Sequence, residues 1–232
     1  MTTAARVLVV DDEPQIHRFL KPALEASGYT VVTAEDGATA IRAAAASAPD
    51  VILLDLGLPD MDGKEVIRAV RGWSKTPIII LSARDRESEK IAALDLGADD
   101  YVNKPFGVGE LLARVRTALR HAATSGGEAS VVETGDLVVD TLKRTVTKAG
   151  ERLRLTPKEY DLLHVLARNA GKVVTHRQLL SAVWGSAHTA DAQYLRVFIS
   201  QLRQKVDASD AAASVIETEP GVGYRLREQD PT

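Results

Sequence analysis

Over the first 120 positions the apolar residues come in short runs, with helical patterns between them. Arg6–Val10 (RVLVV), Thr30–Ala34, Val51–Leu54, Pro77–Leu81 (PIIIL) and Asp100–Val102 are short and rich in Val and Ile, and they read as strands. Pro14–Ser27, Gly37–Ser47, Lys64–Trp73, Glu87–Leu96 and Val108–His121 read as helices. Near-continuous apolar strands alternating with helices require a parallel sheet covered on both faces. The pattern therefore predicts a doubly wound α/β domain over residues 1–121, five strands in a flavodoxin-like arrangement.

AATSGGEAS, residues 122–130, is small, polar and glycine-rich, and reads as a flexible linker. The texture then changes. Val131–Leu155 alternates in short stretches such as DLVVD, which predicts a small antiparallel sheet. In LTPKEYDLLHVLARNAGK, Thr156 is set to cap a helix, with Pro157 and Glu159 in its first turn and Gly171 as its stop. VTHRQLLSAVWG repeats the design with Thr175, Gln178 and Gly185. A third helix spans Asp191–Val206, apolar at Leu195, Phe198, Ile199, Leu202 and Val206, capped by Asp191 or the residue before it. VIETEPGVGYRL closes as a hairpin turning at Pro220–Gly223. Three helices and a terminal hairpin are the layout of an α+β winged helix-turn-helix domain, here residues 131–228.

Composition narrows the function. The chain has no cysteine, which excludes disulfides, thiolate metal sites and cysteine nucleophiles. No run reaches the length of a membrane span, and MTTAARVLVVDDE lacks the apolar core of a signal peptide, so a cytoplasmic protein is expected. The net charge of −3 conceals a basic middle: Leu142 to Lys205 holds twelve Lys and Arg against four acids. That is a candidate phosphate-binding face, with an ordinary solvated surface as the plainer reading.

In an open parallel sheet, ligands bind beyond the carboxyl ends of the strands. Asp11 and Asp12 follow the first strand, Asp55 ends the third, Ser82 follows the fourth and Lys104 the fifth. Alone, each has a structural reading as a helix cap or a solvated charge. Together they make a rim where three carboxylates repel unless a cation joins them. Mg²⁺ takes oxygen ligands and suits one or two carboxylates beside a phosphate. With Lys104 and a hydroxyl, the set fits phosphoryl transfer onto Asp55, whose carboxylate oxygen would be the nucleophile. A phosphatase of the haloacid-dehalogenase type wants Asp-x-Asp, whereas this strand ends Asp55-Leu56-Gly57.

VVDDE, LLDLGLPDMDG, LSAR and GADDYVNKPF resemble the receiver domain of two-component response regulators. The resemblance implies that Asp55 is phosphorylated by a sensor histidine kinase. It also implies that Asp11, Asp12, Asp55 and the backbone carbonyl of Gly57 arrange Mg²⁺, that Lys104 contacts the phosphoryl oxygens, and that Lys104–Pro105 is cis. Ser82 and Tyr101 stand at the family's switch positions. At most slow self-dephosphorylation is implied, so no dedicated enzyme is expected.

LTPKEYDLL, GKVVTHRQLLSAVWG, LRVFISQLRQKV and GVGYRL resemble the effector domain of the OmpR/PhoB class. This implies a transcription factor on promoter DNA, with RNA polymerase as a further partner. The third helix would enter the major groove with Gln193, Tyr194, Arg196, Val197, Ser200, Gln201, Arg203 and Gln204 off its apolar stripe, while Trp184 and Arg177 hold phosphates. Pro220 stands where some members carry a basic wing residue, which leaves Arg225 or Arg227 to supply it. The class forms a homodimer on phosphorylation. Its charge pairs fall here on Lys90 with Glu110, Asp100 with Arg114, and Asp99 with an Arg at position 121; this chain has His121 there, with Arg120 beside it, so a pH-sensitive bridge is expected. LDLGLPDMDG, VRGWSKTPIIILSAR, YLRVFISQLRQKV and ETEPGVGYRL most resemble the Kdp branch, which controls the high-affinity potassium-uptake operon with the Kdp sensor kinase as partner. The other readings are a regulator of a different operon, or DNA binding that does not need phosphate.

Overall fold

The computed structural model describes residues 4–83, 87–124, 131–186, 192–207 and 214–228. The chain divides into two compact units, Met1–Gly126 and Gly127–Thr232.

The first unit is a five-stranded parallel sheet in the order β2-β1-β3-β4-β5. The strands are β1 (Arg6–Val10), β2 (Thr30–Ala34), β3 (Val51–Asp55), β4 (Ile78–Ala83) and β5 (Asp100–Lys104). Between and after them run α1 (Pro14–Ala26), α2 (Gly37–Ser47), α3 (Gly63–Arg71), α4 (Glu87–Asp95) and α5 (Val108–Thr124). Successive strand residues point to opposite faces, and both faces are covered. Val7, Val9, Val51, Leu53, Ile79 and Leu81 pack with Leu20 and Leu24 of α1 and Leu111 and Val115 of α5. The alternate residues Leu8, Val10, Ile52, Leu54, Ile78 and Ile80 are equally buried, on the side where α2 and α4 lie. This double burial is why the three central strands β1, β3 and β4 run apolar almost to their ends, whereas the edge strand β2 exposes Thr30 and Thr33.

Expected and observed boundaries differ by a few residues. β4 and β5 each run two residues further than expected, so Ser82 and Lys104 belong to the strands themselves. Residues 122–124, assigned to the linker, complete α5. The rest of that stretch, 125–130, lies outside the described residues, as do Arg84 of LSAR and the proposed cap Asp191.

The second unit opens with a four-stranded antiparallel sheet, β6 (Val131–Thr134), β7 (Leu137–Asp140), β8 (Thr145–Lys148) and β9 (Glu151–Arg152). Helix α6 (Pro157–Arg168) has the expected capping box: Thr156 accepts from the Glu159 amide and Glu159 accepts from the Thr156 amide. Thr175 and Gln178 repeat it on α7 (His176–Trp184). Helix α8 (Ala192–Val206) follows, burying Leu195, Ile199, Leu202 and Val206. The expected hairpin, β11 (Ile216–Glu219) and β12 (Gly223–Leu226), gains a third strand in β10 (Val174–Thr175), which pairs with β12. A two-residue strand is too short to announce itself by alternation.

The β10–β12 contact depends on Gly223. A Cβ there would overlap the Val174 carbonyl oxygen and crowd Thr175 Cα. Both obstacles are backbone, so Gly223→Ala must move a strand. It is expected to destabilise the second unit by about 2 kcal/mol, in the range for forced overpacking. Urea unfolding of the two proteins measures this.

Candidate functional site

The rim foreseen from strand ends is assembled. β1 and β3 are neighbours, so Asp11, immediately after β1, stands beside Asp55, the last residue of β3. Ligand oxygens of Asp11, Asp12 and Asp55 all lie within 4.8 Å of one another. Asp11 is fully buried, Asp55 is partly covered and Asp12 is exposed. Lys104 ends β5 opposite Ala83 of β4, and its side chain extends across the end of β4 to this pair. Its Nζ donates to Asp11 Oδ2 at 2.8 Å and to Asp55 Oδ2 at 2.5 Å.

The remaining carboxylate oxygens are held by backbone amides. Asp11 Oδ1 accepts from Glu13 N and Asp55 Oδ1 from Gly57 N, both at 2.9 Å. Each oxygen keeps a second lone pair, so the pocket can still offer ligands to a hard cation. Three carboxylates and one ammonium fit Mg²⁺ in donor chemistry and in charge. Burial pushes the Asp11 carboxyl above its ordinary pKa, against the opposing pull of Lys104. Burial works against the Lys104 charge as well, but its hydrogen bonds to Asp11 and Asp55 prevail and raise it above the ordinary lysine value.

Two neighbours of the cluster were not singled out in the sequence. Glu13 Oε1 lies 3.3 Å from Lys104 Nζ, a third carboxylate on the same cation. The His17 Nε2 meets the Asp11 carbonyl at 2.6 Å. Glu13 is adjacent to the acid pair, and His17 sits one helical turn further on in α1, so their nearness to Asp11 was a usable signal. The other loop acids have structural roles. Asp60 accepts from Gly37 N and Ala38 N at the start of α2, and Asp62 caps α3.

Ser82 and Tyr101 are buried. The Ser82 hydroxyl donates to the Ala83 carbonyl at 3.2 Å, and the Tyr101 ring lies 5.4 Å from the Lys90 ammonium. Lys104–Pro105 is cis. The charged residues expected on a dimer face differ from a simple surface set. Lys90 is buried rather than exposed. Asp100 and Arg114 pair within one chain at 3.0 Å, and Glu110 stands 3.9 Å from the same arginine. Asp99, expected to face position 121 across a dimer, already has partners within its own chain. It pairs with Arg71 at 2.9 Å and accepts from Ile78 N, while Arg120 donates to Thr117. Arg71 also donates to the Gly97 and Thr76 carbonyls, so one half-buried guanidinium takes Asp99 as its counter-charge.

In the second unit, Gln193, Tyr194, Arg196, Val197, Ser200, Gln201 and Gln204 are exposed on the face of α8 away from its buried stripe. Arg177 is exposed on α7. Trp184 is half-buried in edge-on contact with Tyr194 and Phe198. Two expectations need correction. Arg225 is not available on the wing surface: it is buried, bonded to Glu219 and to the Gly171 carbonyl. Arg203 turns inward to the hairpin backbone. In both cases a backbone carbonyl of the fold accepts from the guanidinium.

Residues 7–116 match the response regulator receiver domain family, and residues 150–226 match the C-terminal family of transcriptional regulatory proteins. The transcriptional regulatory protein KdpE of Mycobacterium tuberculosis is 50% identical over 221 residues, 95% of this chain and 98% of that protein. The KDP operon transcriptional regulatory protein KdpE of Escherichia coli K12 is 51% identical with the same coverage. The crystal structure of the response regulator DrrB, an OmpR/PhoB homologue of Thermotoga maritima, aligns with a TM-score of 0.50 and 31% identity, over 97% of this chain and 99% of that one. No described helix is long and apolar enough to cross a membrane.

The raised Asp11 pKa has a measurable sign. As pH falls from neutral, the folded chain binds this proton before the unfolded chain does, at about 3.8. This site therefore adds stability as pH drops through its folded pKa and removes it as pH rises. In EDTA, Asp11→Asn is expected to flatten that part of the pH–stability curve and to be the more stable protein at neutral pH. Urea unfolding at a series of pH values, followed by Trp73 emission in a Trp184→Phe background, reads both effects.

Proposed function

The chain belongs to the response regulators of the OmpR/PhoB type, a receiver domain joined to a DNA-binding domain, and on that premise we propose that Asp55 accepts a phosphoryl group from a sensor histidine kinase and thereby controls operator binding at a Kdp-type promoter. The observation that carries this reading is the Lys104 ammonium shared between Asp11 and Asp55 at the strand ends.

An Asp55 oxygen forms the new bond to phosphorus while the bond from phosphorus to the donor imidazole nitrogen breaks, and that nitrogen keeps the electron pair. Lys104 holds its charge through neutral pH and already touches an Asp55 oxygen, so it is in position to meet the incoming phosphoryl oxygens. The backbone amide of Gly57 fixes the orientation of the carboxylate. Asp11, Asp12 and Asp55 would hold Mg²⁺, with the Gly57 carbonyl as a further ligand. When bound, the ion supplies charge neutralisation for the phosphoryl group and the surrounding carboxylates. Once Asp55 is phosphorylated, the Lys104–Asp55 contact gives way to contact with phosphate, and Ser82 and Tyr101 are the buried groups that would move with it.

Dimerisation follows in this reading, through α4, β5 and α5. Because Asp100 and Arg114 are already paired within one chain, a dimer would exchange partners more than create them. Two effector domains then present two α8 helices to two half-sites. Similarity to the two KdpE proteins supports the potassium-uptake operon as target, a Kdp sensor kinase as donor and RNA polymerase as the downstream partner in the cytoplasm.

Gel-shift titration of a Kdp-type promoter fragment tests the switch. With acetyl phosphate and Mg²⁺, wild-type affinity is expected to rise about tenfold or more, within the usual range of coupling energies. Asp55→Ala is expected to show no response, and EDTA to abolish the wild-type response. Equal binding with and without donor would contradict the phosphate gate. Salt-sensitive binding to bulk DNA without preference for this fragment would leave the class standing and remove the potassium operon.

A further inference from the structure

Both arginines of the terminal hairpin are paired within it, Arg225 buried and Arg227 exposed. Among the described residues 214–228 the arginines are Arg225 and Arg227. Arg225 is buried against Glu219, and Arg227 donates to Glu217 at 3.0 Å. A third guanidinium reaches the hairpin from the last turn of α8. Arg203 donates to the Ile216 carbonyl through Nε at 3.0 Å and Nη2 at 2.5 Å, and to Thr218 Oγ1 through Nη2 at 2.8 Å. Its guanidinium carbon lies 5.7 Å from the centre of the Tyr224 ring. Ile216 and Thr218 belong to β11, and Tyr224, the register partner of Thr218, belongs to β12. One side chain therefore grips both strands.

The same end of α8 is held from two other sides. Lys205 donates to Glu159 of α6 at 2.6 Å, and Lys148 of β8 donates to the Lys205 carbonyl at 3.3 Å. The exposed residues from Gln193 to Gln204 extend from this anchored end towards the start of the helix. A helix of 15 residues is about 20 Å long, so a tilt of about 10° at the last turn moves the first turn by about 3–4 Å. That displacement exceeds what a base-edge hydrogen bond tolerates.

Resting on the reading of α8 as the DNA-entering helix, we propose that Arg203 is a positioning residue that sets α8 against the hairpin, and that the hairpin in this chain is a brace for α8 more than a reader of the minor groove. The role requires a planar fork. Arginine satisfies one carbonyl twice and a hydroxyl once from a rigid group, which the point charge of lysine cannot reproduce.

The test uses the full chain and the promoter fragment that wild type retains, titrated over a series of salt concentrations. Arg203→Lys and Arg203→Ala are both expected to lose about tenfold in affinity, with the salt slope unchanged because no phosphate contact is removed. If Arg203 instead touches phosphate, Arg203→Lys stays within about twofold of wild type and the slope of Arg203→Ala falls by about one, which overturns the proposal. Amide exchange of Ile216–Glu219 in the free protein reads the clamp without DNA. It is expected to quicken in Arg203→Lys, and unchanged exchange would also overturn the proposal. Should Arg203→Ala fail to fold, the lysine variant decides alone. Should wild type retain no fragment, the DNA reading of α8 and the positioning role fall together, while faster exchange would still establish the clamp as a contact.

Discussion

Asp11 and Asp55 are brought together at the rim of an apolar sheet, and the ammonium of Lys104 between them makes that arrangement tolerable. Neighbouring carboxylates repel, and a fully buried one such as Asp11 also loses its hydration. The sheet forces the encounter: β1 and β3 are adjacent, and their covered faces leave only the strand ends for polar groups. Lys104 arrives from β5 across β4 because the parallel order puts all carboxyl ends on one edge. A site of this kind is poised. Its acidic charge is only partly neutralised, so it gains from a cation, and its lysine is already in contact with the carboxylate that would be modified.

The second unit solves a different problem. A helix that reads DNA must expose one face and hold the other rigidly. Leu195, Ile199, Leu202 and Val206 bury one side of α8, and Arg203, Lys205 and Lys148 fasten its last turn. The hairpin is itself closed by Gly223 against Val174 and by Arg225 against Gly171. The Arg203 and Arg225 guanidinium groups are used within the fold. The polar residues of α8 off that buried side stay exposed, and in the proposed reading they are the ones left to meet bases.

Much of this was legible in the sequence. Strands β1 and β3 announced themselves because they are buried on both faces, which leaves an unbroken apolar run ending abruptly at Asp11 or Asp55. The pocket followed, since strand ends of a parallel sheet must converge. Capping boxes at Thr156 and Thr175 were visible because their chemistry is local, spanning three residues. What could not be read was the partner of a charged residue distant in sequence. Asp99 with Arg71, Arg203 with Ile216 and Arg225 with Gly171 are choices made by the folded backbone among several acceptors. Lys90 looked like a surface cation because its burial depends on the packing of Tyr101, which helical spacing does not encode. Strand β10 was too short to show a period.

The central claim is that the Lys104–Asp55 pair is a phosphoacceptor site and not a structural salt bridge. Peptide mapping by mass spectrometry after incubation with a phosphohistidine donor and Mg²⁺ tests it most directly. The account predicts one phosphoryl group, on the peptide carrying Asp55, labile to hydroxylamine as an acyl phosphate should be, and absent when Mg²⁺ is chelated. A phosphoryl group on another residue, or an unmodified Asp55 under conditions that phosphorylate a control receiver, would contradict it.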